Sequence, residues 1–248
     1  MATYLMIHGA WHGGWSFEPL REGLEAEGHT LVAPDLPGIG GDDATLAAVT
    51  LEGWAEFVAR LARAQDSPVI LCGHSRGGIV ISQAGERAPQ AIAALVYISA
   101  FLIPPGRSLN DLVADVPRLA AFEAGLSPLA GGAALALTPE GAAAAFYHLS
   151  PEPARVDACA RLAPEPVAPL ATPLDLGDAG YGSIPRHYIE CDEDRAIPLA
   201  QQRAMQAAQP VASVTTLHSD HSPFLTCPDA LVEALLGIAE GVIEREAA

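Results

Sequence analysis

A serine, an acidic loop and two histidines are the residues of this chain whose types and order could do chemistry. Ser75 stands in Gly73-His74-Ser75-Arg76-Gly77, directly after the apolar run Val69–Leu71 and before the helix-compatible run Ile79–Glu86. A G-x-S-x-G stretch between a strand and a helix needs small residues, because the turn is strained and its flanking backbones pass close together. Such a turn pushes the serine hydroxyl clear of the sheet and sets the amides after it at a helix N-terminus, where negative charge is favoured. A serine hydroxyl is a weak nucleophile unless an imidazole takes its proton, and the imidazole needs a carboxylate to fix its tautomer and stabilise its cation. Asp192 and Asp194 follow the segment Arg186–Cys191, and His218 and His221 follow the segment Val211–Leu217. Order and spacing therefore point to nucleophilic acyl transfer from Ser75, and leave open which aspartate and which histidine complete the set.

These groups need a scaffold that carries them to one place. Short runs at Tyr4–Ile7, Thr30–Ala33, Val69–Leu71, Ala93–Ile98, Arg186–Cys191 and Val211–Leu217, the first four largely apolar, read as strands. Helical segments separate the early ones. Ser16 can cap a helix running to Glu27 that Gly28 ends, and from Thr50 the residues Leu51, Trp54, Val58 and Leu61 share one helical face. Strands alternating with helices predict an α/β fold with a mainly parallel central sheet flanked by helices. In such sheets catalytic groups gather at the carboxyl ends of strands, where Ser75, the aspartates and the histidines all fall. The first strand ends in His8-Gly9-Ala10-Trp11-His12, a turn placed to supply a second oxyanion-binding amide, that of Ala10, beside the Arg76 amide after the serine. His8 and His12 are four apart, but glycines between and after them deny a helix, so a structural or pocket-lining role is expected rather than a metal pair.

From Phe101 to about Pro185 the alternation stops. The stretch is rich in Ala, Pro and Gly, with helix-like fragments at Leu112–Ala124, Pro139–His148 and Pro153–Arg161 and at most one doubtful short strand. We read one domain over residues 1–248, with a core of 1–100 and 186–248 and a mostly helical cap inserted at about 101–185. Trp11, Phe101, Phe122, Phe146 and Tyr147 are the expected substrate-lining residues. Composition narrows the rest. The formal net charge is −17 and all 13 basic residues are Arg, which disfavours nucleic acid and anionic membranes as partners and removes Schiff-base lysine chemistry. No apolar run reaches the roughly 20 residues that span a bilayer. The first strand begins almost at Met1 without a basic, signal-like leader, so a cytoplasmic protein is expected, with Cys72, Cys159, Cys191 and Cys227 as reduced thiols. The cysteines form no C-x-x-C pair, and neither a metal nor a cofactor is implied.

The chain resembles the plant methyl esterase and hydroxynitrile lyase family of α/β-hydrolases, typified by the salicylic-acid-binding methyl esterases, and its bacterial relatives. The resemblance rests on His8-Gly-Ala-Trp-His-Gly-Gly-Trp15, Gly28-His29, Gly73–Gly78, Tyr147-His-Leu-Ser-Pro151, Tyr188–Pro198 and Ser219-Asp-His221. It implies Asp194 as the acid, His221 as the base, the amides of Ala10 and Arg76 as the oxyanion hole, and no cofactor. The lyases carry a threonine after the first-strand histidine and a lysine after the catalytic one, where this chain has Gly9 and Ser222, so cyanohydrin cleavage is disfavoured. The expected activity is that of a serine carboxylesterase on a small hydrophobic or aromatic ester, compatible with a homodimer. A lactonase, a hydroxynitrile lyase or carbon–carbon hydrolase on the same scaffold, and a ligand-binding receptor are the alternatives.

Overall fold

Residues alternate between the two faces of a strand, and in this chain both faces are apolar. The computed structural model describes residues 1–114 and 116–246. The first two strands are β1 (Thr3–Ile7) and β2 (Thr30–Val32), followed by β3 (Val69–His74) and β4 (Ile92–Ile98). Leu5, Ile7, Val69 and Leu71 face one hydrophobic cluster, built with the helices Leu51–Arg63 and Gly77–Arg87. Tyr4, Met6, Ile70 and Cys72 face a second cluster, built with the helices Arg21–Ala26 and Pro228–Glu246. A sheet covered on both faces has to be made of near-continuous apolar strands.

After β4 the chain leaves the sheet. Between β4 and the next core strand lie, among the described residues, a small antiparallel sheet, β5 (Leu126–Leu129), β6 (Ala134–Leu137) and β7 (Glu165–Pro166), and five α-helices. The sheet is one feature that the sequence pattern missed: strands of two to four residues, rich in Ala and Pro, carry no readable alternation. The expected helix Leu112–Ala124 is instead two, Leu109–Val113 and Ala120–Gly125. Pro117 lies between them, and Asp115 lies outside the described residues. The other two expected cap helices run over Pro139–Phe146 and Glu152–Ala160, close to their expected bounds, and a short fifth spans Ala168–Ala171. The first helical segment also differs, starting as a 3-10 turn over Gly14–Leu20. Ser16 sits inside that turn and donates to the Gly13 carbonyl rather than capping.

The core resumes with β8 (Arg186–Cys191) and β9 (Ser213–Leu217). All six core strands pair in parallel, in the order β2-β1-β3-β4-β8-β9. The chain winds outward from β1 in one direction to β2 and in the other through β3, β4, β8 and β9. The direction therefore reverses between β1 and β3, and a crevice opens at the carboxyl ends of strands at such a switch point. The residues that leave β1 and β3 there are His8-Gly9-Ala10 and Ser75-Arg76. Among the described residues no helix is long and apolar enough to cross a membrane.

Candidate active site

The turn after β3 is tight enough to force its composition. A Cβ on Gly73 would lie 2.8 Å from the backbone of Gly77, and one on Gly77 would lie 2.5 Å from the Ile7 carbonyl oxygen, so neither the strand nor the helix could carry a side chain there. Ser75 pays for the turn with a left-handed backbone, φ 52°, which costs a non-glycine residue of order 1 kcal/mol or more. The surroundings hold it. Its amide donates to the Ile98 carbonyl at 3.3 Å, and its own carbonyl accepts from Phe101 and Gly78. Arg76 then opens the helix Gly77–Arg87, so its amide lies at the positive end of the helix.

The acid and the histidine are placed by the ends of β8 and β9. Asp194 and His221 are both buried, and His221 Nδ1 lies 2.6 Å from Asp194 Oδ2. Asp194 is held by four donors: the amides of Ala196 (2.7 Å) and Ile197 (2.9 Å) reach Oδ1, while His221 and the hydroxyl of Ser99 reach Oδ2. A carboxylate satisfied in this way stays where the imidazole needs it. The rival pair is also present, but outside. His218 Nδ1 sits 3.1 Å from both oxygens of Asp192, and the His218 side chain is 77% exposed. Asp192, Glu193 and His218 are the one group of three or more His, Cys, Asp or Glu side chains among the described residues whose ligand atoms all lie within 4.8 Å of one another. None of the three lines the cavity described next.

A cavity of about 160 Å³ opens beside Ser75. Its wall includes Ala10, Trp11, Ser75, Arg76, Phe101, Phe122 and Phe146, and thus most of the residues expected there. Trp11, Phe122 and Phe146 form one aromatic corner with ring centroids 5.6–5.9 Å apart, and Phe146 continues to the His221 ring at 5.2 Å. Tyr147 is the exception. It is fully buried away from this wall, and its hydroxyl donates to His12 Nε2 at 2.7 Å. Phe146 ends the helix Pro139–Phe146, and Tyr147 leaves it with a non-helical backbone (φ −131°) that goes with its turn toward His12.

The histidines near the site serve its backbone. His8 Nε2 accepts from the Leu36 amide at 3.1 Å, which leaves Nδ1–H to donate to the Gly9 carbonyl at 2.9 Å. His12 receives the Tyr147 hydroxyl at Nε2, which leaves its Nδ1–H for the Ala10 carbonyl at 2.7 Å. His74 Nε2–H reaches the His221 carbonyl at 2.7 Å and ties the histidine loop to the elbow. Burial holds all three imidazoles below their ordinary pKa, His12 down to about 4. For His8 and His12, which accept at Nε2, neutrality is what these hydrogen bonds require.

Three residues at the site had no sequence signal. Ser99 follows β4 as an unremarkable serine, and nothing in spacing links it to Asp194. Asp220 ties the histidine loop to the cap: it accepts from the Leu149 and Ser150 amides, both at 2.9 Å, from Ser222 N at 3.0 Å and from Thr226 Oγ1 at 2.7 Å. Glu165 is a single acid in an apolar stretch, and its partner Arg76 is remote in sequence.

A parallel sheet with a serine elbow at its switch point and a histidine–aspartate pair from its later strands defines the class, and the chain belongs to the alpha/beta hydrolase family, whose profile matches residues 4–234. Among individual proteins, it is 33% identical to Methylesterase 7 of Arabidopsis thaliana over 96% of both chains. It is 30% identical to a pyrethroid hydrolase of Sphingobium wenxiniae, covering 97% of this chain and 88% of that one. A crystal structure of the pyrethroid hydrolase PytH superimposes with a TM-score of 0.84 at 30% identity, covering 97% of this chain and 98% of that one.

Proposed function

We propose that the chain is a cofactor-free serine carboxylesterase that hydrolyses small hydrophobic or aromatic esters through an acyl-enzyme. One observation carries this reading: a buried His221–Asp194 pair at 2.6 Å, reached through Phe146 from a cavity that is lined by a serine at the apex of a strand–helix elbow. Relatives named methylesterase and pyrethroid hydrolase support it.

Ser75 Oγ attacks the ester carbonyl as His221 Nε2 takes its proton. Asp194 holds the Nδ1–H tautomer and stabilises the imidazolium. The amides of Ala10 and Arg76 receive the negative charge on the former carbonyl oxygen, and each such donor contributes roughly 3 kcal/mol to the transition state. His221 returns the proton to the leaving alkoxide, which departs as the alcohol. A water then attacks the acyl-enzyme, giving its proton to His221, and Ser75 is released with the free acid. The cavity volume is on the scale of the ~150 Å³ that admits a benzene ring, and its aromatic corner suits an apolar acyl group. A lactone would follow the same route. The lyase reading loses ground at position 9, where a Cβ would stand 2.8 Å from His74 Nδ1 and 3.0 Å from Ser75 Cβ, so this site has no room for a threonine.

The test is a panel of p-nitrophenyl esters and aryl methyl esters of graded size, with Ser75→Ala as the control. Turnover that disappears in Ser75→Ala, and stoichiometric labelling of Ser75 by a fluorophosphonate, are expected. Undiminished turnover in Ser75→Ala would overturn the assignment.

A further inference from the structure

The oxyanion loop after β1 is under strain, and a buried charge pair stands directly behind it. Trp11 adopts φ 61°, a left-handed conformation that a bulky residue keeps only where its surroundings over-determine it. Behind the loop lie Arg76 and Glu165, at 1% and 0% side-chain exposure, with Arg76 Nε 2.9 Å from Glu165 Oε1. Burial pushes the Glu165 carboxyl up and the Arg76 guanidinium down, and the charge of each partner opposes that shift.

The other contacts of the pair fall on particular peptide units. Arg76 Nη2 donates to the Gly9 carbonyl at 3.1 Å. That carbonyl belongs to the peptide whose N–H is Ala10's. In a trans peptide C=O and N–H point in opposite directions, so holding the carbonyl against the guanidinium turns the Ala10 N–H away from it. His8 Nδ1–H holds the same carbonyl from a second side. Glu165 Oε2 accepts the Trp11 amide at 3.2 Å, which fixes the next peptide, and His12 holds that peptide's carbonyl. Both planes flanking Ala10 are therefore pinned. A hydrogen bond from a cation to the Gly9 carbonyl also polarises the Ala10 N–H and strengthens it as a donor. The guanidinium itself is clamped, lying 4.3 Å over the Trp54 ring.

We propose that Glu165, acting through Arg76, is a positioning residue for the oxyanion hole: a cap strand supplies the carboxylate that aims the Ala10 amide at the reacting carbonyl. This rests on the oxyanion role given above to the amides of Ala10 and Arg76. Arg76 would then serve twice, its amide as one donor and its side chain as the support of the other. Because β7 carries the acid, docking of the cap and completion of the oxyanion hole are one event.

A buried ion pair can also be purely structural, and the experiment has to separate the two. Replacing one partner strands a buried charge and endangers folding, whereas replacing both by apolar residues of similar volume is often neutral or stabilising. The variant is therefore Arg76→Met with Glu165→Met, which leaves the Arg76 amide in place, with Glu165→Gln as the second. Gln keeps an acceptor for Trp11 N and loses the charge. For the double variant we expect a thermal midpoint close to wild type, kcat on a p-nitrophenyl ester lowered roughly ten- to a hundredfold, a fraction of what removing a donor outright costs, and KM nearly unchanged. An aryl trifluoromethyl ketone, whose hemiketal oxygen occupies the oxyanion hole, should lose affinity in step with kcat/KM. Glu165→Gln should fall between the double variant and wild type. A folded double variant with wild-type kcat and ketone affinity overturns the proposal, and so does a loss confined to KM. Failure of the esterase reading would look different, because wild type itself would then turn over no ester.

Discussion

Substituting Asp194 by Asn tests the assignment of the acid by changing one atom. The carboxylate takes the two amides of Ala196 and Ile197 on Oδ1, and His221 Nδ1–H and the Ser99 hydroxyl on Oδ2. In Asn one of these oxygens becomes an NH2 group that cannot accept. Placed at the Oδ1 site it would face two backbone donors and cost two buried hydrogen bonds, each unsatisfied group about 1–3 kcal/mol. The carbonyl therefore keeps the amides, and the NH2 faces His221 Nδ1 and Ser99. The Ser99 hydroxyl can rotate to accept, but the imidazole can accept at Nδ1 only by carrying its proton on Nε2. That tautomer cannot take the proton of Ser75. The expected loss is about 10⁴ in kcat, the size seen when a triad aspartate becomes Asn, or about 5 kcal/mol at 1.36 kcal/mol per decade. Asp194 is not among the cavity-lining residues, so KM should hardly move. The assay is steady-state kinetics on a p-nitrophenyl ester beside a thermal melt and the rate of fluorophosphonate labelling, which should fall with kcat. A folded Asp194→Asn enzyme within tenfold of wild-type kcat would refute the reasoning. So would an Asp192→Asn enzyme that loses as much.

Other perturbations follow from the same geometry. Ser99→Ala removes one of the two donors on Asp194 Oδ2 and should lower kcat about tenfold, as a hydrogen bond to a charged group is worth about 1.5–3 kcal/mol, whereas His218→Ala should leave kinetics near wild type. Phe122→Ala enlarges the aromatic corner without touching Ser75 or His221, and should shift preference toward bulkier acyl groups in roughly tenfold steps, read from kcat/KM across an ester series. If it instead abolished labelling of Ser75 in a folded protein, the cap would have to contribute to the chemistry itself. The fold should also be acid-sensitive, because His8, His12 and His74 are buried as neutral imidazoles with folded-state pKa values below the ordinary 6.5, about 4 for His12. Below pH 6.5 the unfolded chain takes up protons that the folded one refuses, so stability is full above that pH and declines as pH falls toward 4. Each such histidine costs about 1.4 kcal/mol per pH unit there; urea unfolding at pH 7, 6 and 5 should show a falling midpoint, and a flat profile would mean these imidazoles charge in place.

Local chemistry, read in order, determined much of this protein. The Gly73–Gly77 elbow is legible because its backbones approach too closely for side chains, and the strands Val69–His74 and Ile92–Ile98 are legible because burial on two faces demands apolar runs. Asp194 and His221, by contrast, could be separated from Asp192 and His218 only by resemblance. The tertiary structure separates them by burial, because the acid turned inward meets Ser99 and two amides while its neighbour faces solvent. Ser99, Asp220 and Glu165 lay beyond the sequence altogether. A hydrogen bond between residues far apart in the chain leaves no periodicity and needs no motif, and a lone Glu in an Ala- and Pro-rich stretch reads as a solvated charge. Only the docking of β7 against the elbow takes that carboxylate out of water and sets it behind the loop that follows β1. The small cap sheet was hidden for the same reason: its strands are too short to carry a pattern and exist because they pair.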